Sequence, residues 1–199
     1  MNKSALDLLT PTNSVLLLVD YQPGMFKGVG SGDRTLIKNC AVATAKAARI
    51  LGVPVVLTSI YPKGNGEFIK EITDLFPKLK VIDRKIQSFD ALEEEAVLKA
   101  VEETGHNKLV VSGLWTSMCF AFTALHGLRD GMDVYGLVDA SGDSTQDAHK
   151  YGIKRMLQAG VIPITWETIT SEWMHDWGNP KVPELNKEVY GKYDVMLGV

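Results

Sequence analysis

The chain has 199 residues, is 45% hydrophobic, and carries a formal charge of −3 from 21 basic and 24 acidic side chains. That length suits one domain with a full core, and the absence of any basic run argues against a nucleic-acid surface. Two cysteines, Cys40 and Cys119, are too few for a disulfide framework. The longest early apolar run, residues 15–19, is too short for a membrane span or signal segment, so a cytoplasmic protein without membrane contact is expected.

Residues 1–14 are a polar lead-in. Residues 15–20 form an apolar run ending in Asp20, read as a central parallel strand. A glycine-rich loop follows over 21–33. Residues 34–51 place Ile37, Ala41, Ala45 and Ala48 at helical spacing and stop at Gly52. A second strand is expected over 53–59, with Pro54 tolerable near its start. The connection over 60–80 contains one short helix, 67–76, and a third strand covers 81–85. Asp90 and Glu93 resemble a capping box and open a helix to Thr104.

A fourth strand begins at Lys108 and turns at Gly113 into a helix that runs to Asp130 and stops at Gly131. Met118, Phe122 and Leu125 share one face of that helix. Then come a strand at 133–138, a polar turn at 139–143, a helix at 145–159, a strand at 161–165 and a helix at 168–177. From residue 178, prolines, glycine and charge replace periodicity. Residues 178–199 are expected to be a tail of the single domain, 1–199. Val182, Leu185, Val189, Tyr190 and Met196 have no evident core there, so the segment is either frayed or, as a homo-oligomer would allow, packed on a neighbouring subunit.

Strands alternating with helices predict an α/β fold, a doubly wound six-stranded parallel sheet of order 3-2-1-4-5-6 with helices on both faces. In that order strands one and four are neighbours, and ligands bind beyond their carboxyl ends. Asp20 ends the first strand and Cys119 follows the fourth, so the two converge on one crevice. Cys119 in the first turn of a helix would lie among free backbone amides that favour the thiolate.

The histidines are poor partners for it. His126 shares the Cys119 face but lies about 10 Å along the axis, His106 is at the wrong end of the sheet, and His149 and His175 belong to outer helices. No spacing fits a metal site, and neither a metal nor another cofactor is expected. Asp20 could accept the thiol proton. A cation could come from Lys85, Lys27 or Lys63. The Gly28-Val-Gly-Ser-Gly32 loop departs from a dinucleotide fingerprint and comes eight residues after its strand, so its glycines are read as turn residues.

Val19-Asp20-Tyr21-Gln22, the strand ending Asp83-Arg84-Lys85, and the Gly113-Leu-Trp-Thr-Ser-Met-Cys119 turn together resemble the isochorismatase-like cysteine hydrolase superfamily. Gly131 to Tyr135, Asp139 to Asp143 and Trp166-Glu-Thr resemble its YcaC-type branch. The resemblance implies an Asp20–Lys85–Cys119 triad, so it favours Lys85 over the other two lysines. It also implies a cis peptide at Leu114–Trp115, which would aim the Trp115 amide, with that of Cys119, at an oxyanion.

Ser59-Ile-Tyr-Pro62 stands where the nicotinamidase branch has a metal motif, so metal-dependent nicotinamidase activity is not expected. The cysteine points to cleavage of an amide-like C–N bond in a small molecule through an acyl-enzyme. The alternative is a catalytically silent oligomeric protein of the same fold. Gln22, Phe26 and Trp115 are expected to line the substrate pocket, with Tyr61 and Trp166 as further candidates. A homo-oligomer is implied as well.

Overall fold

Six apolar runs become six parallel strands, in a computed structural model that describes residues 6–193. In chain order the elements are β1 (Ser14–Val19), α1 (Pro23–Lys27), α2 (Arg34–Leu51), β2 (Val55–Ile60), α3 (Pro62–Asn65), α4 (Lys70–Thr73) and β3 (Ile82–Arg84). A 3₁₀ turn (Ala91–Glu93) leads to α5 (Glu95–Glu102) and β4 (Lys108–Gly113). A π-helical turn (Thr116–Phe120) runs into α6 (Ala121–Arg129), followed by β5 (Asp133–Leu137), α7 (Gln146–Ala159), β6 (Ile162–Ile164) and α8 (Trp166–Met174). The chain continues through α9 (Val182–Leu185), a second π turn (Asn186–Tyr190) and α10 (Gly191–Tyr193). The sheet order is β3-β2-β1-β4-β5-β6, as the alternation of elements predicts.

The central strands β1 and β4 are buried at every position, as both faces of a parallel sheet require. Their side chains alternate between two apolar layers. Leu16, Leu18 and Val110 point to the layer under α2 and α8, whereas Val15, Leu17, Leu109 and Val111 point to the layer under α5, α6 and α7. The two strands stay in register to Val19 opposite Gly113. A Cβ on Gly113 would lie 2.7 Å from the Val19 Cβ, so glycine is what lets the strand ends approach.

The long helices have the ends their sequences encode. Asp33 Oδ1 accepts from the Thr35 and Leu36 amides at 2.7 and 3.1 Å, and α2 stops at left-handed Gly52. Thr145 caps α7, which ends at left-handed Gly160.

The C-terminal segment differs from the expectation. Leu185, Val189 and Tyr190 are buried in this chain's own core, and the Tyr190 ring sits 6.0 Å from both Trp166 and Trp177. Val182, Leu185 and Val189 follow helical spacing. Pro183, which reads as a breaker, occupies a first helical turn where proline is tolerated. Met196 lies outside the described residues.

Candidate active site

The crevice where β1 and β4 end is built from three elements. Asp20 leaves β1 in the left-handed region, φ 60°, with its amide held by Thr58 O at 2.9 Å. Aspartate tolerates that conformation better than most residues. It aims a wholly buried carboxylate into the crevice.

Arg84 meets it there. Nη1 donates to Asp20 Oδ1 at 2.9 Å and Nη2 to Oδ2 at 2.8 Å, while Nη1 also reaches Thr58 Oγ1 at 3.3 Å. β3 lies two strands from β1, about 9–10 Å away, a span that an arginine side chain crosses. Lys85, expected in this place, is exposed, and its backbone amide donates to Glu94 Oε2 at 2.8 Å. The reason is parity. Ile82 and Arg84 share one face of β3, so the next residue points the other way. Lys27 and Lys63 are exposed too.

Cys119 is carried by the turn after β4. The Leu114–Trp115 peptide is cis. Within the turn, the Thr116 amide donates to Gly142 O at 3.0 Å, and that of Ser117 to Asp143 Oδ2 at 2.7 Å. The Met118 and Phe120 amides share Trp115 O at 3.1 and 3.3 Å. Among the described residues, no backbone oxygen accepts from the Trp115 amide. The Trp115 amide instead lies close enough to the Cys119 sulfur to favour its anion.

The Cys119 thiol is buried beside the Asp20 carboxylate. Burial and the adjacent carboxylate push its pKa well up, against smaller opposing effects of Arg84 and the Trp115 amide. Sequence placed this cysteine among amides that would lower its pKa, and the structure reverses that expectation. Burial also raises the Asp20 pKa, and the Arg84 hydrogen bonds only partly offset it. The bidentate Arg84 contact favours the carboxylate form of Asp20, beside the Cys119 thiol.

Above the sulfur is a cavity of about 270 Å³ lined by Met25, Ile60, Tyr61, Asn65, Gln87, Phe89, Trp115, Met118 and Cys119. Trp115 and Tyr61 are among the lining residues. Trp115 is fixed by its indole N–H, which donates to Met25 O at 2.9 Å.

Gln22 is fully buried and outside the lining. Its Oε1 accepts from the Ile60 amide at 3.0 Å and its Nε2 donates to Gly66 O at 2.6 Å, so it ties down the β2 exit instead of meeting a ligand. Phe26 packs against Tyr21 and opens onto a separate groove, because α1 turns Met25 toward the sulfur and its neighbour away. Trp166 belongs to the core beside Tyr190.

Gly28 is not a left-handed turn residue. A Cβ there would collide with the Trp115 indole, so this glycine makes room for the pocket wall.

The histidines have other partners. His106 Nδ1 meets Ser14 O at 2.8 Å, and His126 bridges Asp90 and Asp130. His149 Nδ1 meets Thr116 Oγ1 at 2.8 Å and so braces the cysteine turn, which its place on an outer helix did not suggest. Among the described residues no group of three or more His, Cys, Asp or Glu is placed to hold a metal ion.

An isochorismatase domain model matches residues 14–168, more than half of the chain and all six strands. The chain belongs to the isochorismatase family.

Within that family, it is 32% identical over 172 residues to a probable hydrolase, YcaC, of Escherichia coli, covering 86% of this chain and 82% of the relative. The crystal structure of the E. coli YcaC gene product, described as an octameric hydrolase of unknown specificity, superposes with a TM-score of 0.88 at 30% identity, over 96% of this chain and 95% of that one. YcaC from Pseudomonas aeruginosa, solved with hexane-2,5-diol and covalent acrylamide, superposes with a TM-score of 0.89 at 28% identity, covering 97% and 96% of the two chains. This isochorismatase-family chain thus shares the hydrolase fold of both. No helix among its described residues is long and apolar enough to cross a membrane.

Proposed function

We propose that this protein hydrolyses an amide-like C–N bond of a small molecule through an acyl-enzyme on Cys119. The observation that carries the reading is the buried Asp20 carboxylate, held by Arg84 and set beside the Cys119 thiol that lines a ligand-sized cavity. A nucleophile whose pKa is raised needs a base in contact with it, and Asp20 is that base.

As sulfur attacks the carbonyl carbon, an S–C bond forms and the thiol proton passes to Asp20. Collapse of the tetrahedral intermediate breaks the C–N bond, with Asp20 returning the proton to the departing nitrogen. Water, deprotonated by Asp20, then attacks the thioester and releases the acid and the thiol. The Trp115 amide, which the turn leaves without a backbone oxygen acceptor, and the Cys119 amide are the donors for the oxyanion. Arg84, in place of Lys85, orients Asp20 and balances its charge. Its guanidinium stays protonated throughout, so it carries no proton in the cycle.

The Pseudomonas relative's covalent acrylamide supports this reading, since that protein holds a nucleophile that a small amide can reach. The E. coli relative's octamer supports a homo-oligomer here, and two free cysteines fit a cytoplasmic setting. A screen of small amides read by ammonia release tests the proposal. Turnover by the wild type and none by a folded Cys119→Ala variant is expected. If no amide is turned over and Cys119 alkylates no faster than buried Cys40, the protein is a catalytically silent member of the fold.

A further inference from the structure

The cavity above Cys119 is lined by four apolar residues, Met25, Ile60, Phe89 and Met118, by the rings of Tyr61 and Trp115, and by two neutral amides, Asn65 and Gln87. Apart from Cys119 itself, no ionisable group other than the Tyr61 phenol lines it, and it holds no cation and no carboxylate. The nearest buried charges, Asp20 and Arg84, are spent on each other through two hydrogen bonds. Lys63 and Lys85 are exposed and outside the lining. A ligand carboxylate packed against this lining would find no counterion there and would lie near the Asp20 carboxylate behind Cys119.

Neutral polar groups are provided for. Asn65 Nδ2 donates to Ile60 O at 3.0 Å, which orients its amide and leaves Oδ1 to accept a ligand N–H. At about 30 Å³ per atom, the volume of a liquid water, about 270 Å³ holds roughly nine non-hydrogen atoms.

We infer that the ligand of this site is a neutral primary amide with a short apolar acyl group, and that the pocket rejects analogues carrying a carboxylate on that group. The inference rests on the hydrolase reading above and adds the substrate class to it. The chemistry excludes the dicarboxylates and amino-acid side-chain amides that a pocket with a lysine or arginine wall would select.

The test separates the pocket from the reaction. Iodoacetamide and iodoacetate differ by one charge and report on Cys119 without any hydrolysis. Their rates at Cys119, read by peptide mass and divided by their rates with N-acetylcysteine, should favour the amide by about 100-fold, about 2.7 kcal/mol. Gln87→Lys should move that ratio at least tenfold toward iodoacetate. A wild-type ratio within threefold of the free-thiol reference overturns the inference, as does labelling of Cys119 by neither reagent or a ratio unmoved by Gln87→Lys. Butanamide and its carboxylated analogue succinamate form the second arm, with ammonia release expected from butanamide alone. If alkylation discriminates but neither amide is hydrolysed, the hydrolase reading fails while the pocket's preference stands. If succinamate is hydrolysed as fast as butanamide, the preference fails and the hydrolase stands.

Discussion

Arg84 holds Asp20 by both guanidinium nitrogens, at 2.9 and 2.8 Å, with both side chains fully removed from solvent. A bidentate pair of this kind fixes the carboxylate's plane as well as its charge. Removing one partner strands the other, at a cost of about 3–5 kcal/mol. Arg84→Met should therefore lower stability by that amount in denaturant melts and reduce kcat/KM more than 100-fold. Lys85→Ala should leave both within twofold, because its side chain faces solvent. Equal losses in the two variants would contradict the assignment.

The pH dependence of thiol reactivity follows from the same pair. With the Cys119 pKa pushed up by burial and by Asp20, little thiolate forms by simple ionisation near neutrality. Reactivity then depends on ionised Asp20, whose own pKa burial raises above the ordinary carboxylate value. Alkylation by iodoacetamide should rise as Asp20 ionises on the acid side and stay flat through pH 8–9. In Asp20→Asn the acid-side rise should vanish. A rate that climbs tenfold per pH unit up to an ordinary thiol pKa of about 8.5 would oppose this account.

Gly28 gives a test of the pocket wall. Its φ of −79° suits alanine, so Gly28→Ala costs the backbone nothing, but the new methyl must displace the Trp115 indole. Stability should fall by about 1–3 kcal/mol, while kcat/KM falls at least tenfold and tryptophan emission shifts. Unchanged kinetics would mean that the indole's position does not matter.

Asp139 sits half-buried where α8 begins, with both oxygens accepting from the Trp166 amide at 3.1 and 3.2 Å. Burial nevertheless pushes its pKa up to about 6. A carboxyl whose folded pKa exceeds its unfolded value of about 3.8 favours folding most in its protonated form. Its contribution is full below pH 3.8 and is lost as pH rises through 6. The stability of Asp139→Asn relative to wild type should therefore increase by about 1–2 kcal/mol from pH 4 to 7 and level off above. A pH-independent difference would remove this titration from the account.

Much of this architecture is legible in the residues. Continuous apolar runs mark β1 and β4, and left-handed glycines at 52 and 160 end α2 and α7. Asp20 and Cys119 converge because sheet order alone brings those strand ends together. The side chain that reaches Asp20 was off by one position, since a three-residue edge strand offers too little alternation to reveal which parity faces inward. Gln22 reads as a pocket amide from sequence, yet two buried backbone groups, Ile60 N–H and Gly66 C=O, consume it. Asn65, Gln87, Phe89 and Met118 come from three separate stretches, and only tertiary folding assembles them. The raised thiol pKa was illegible for a similar reason. Helix position is local, but burial beside Asp20 is not.

The nucleophilic role of Cys119 with Asp20 as its base is tested most directly by trapping the acyl-enzyme. Wild-type protein mixed with butanamide and acid-quenched within the first turnover should be one butyryl group heavier by intact mass, with the group on the peptide containing Cys119. The adduct should be absent in Cys119→Ala and form at least 100-fold more slowly in Asp20→Asn. Release of ammonia from butanamide by Cys119→Ala at the wild-type rate, or a butyryl group on any other residue, would contradict the account.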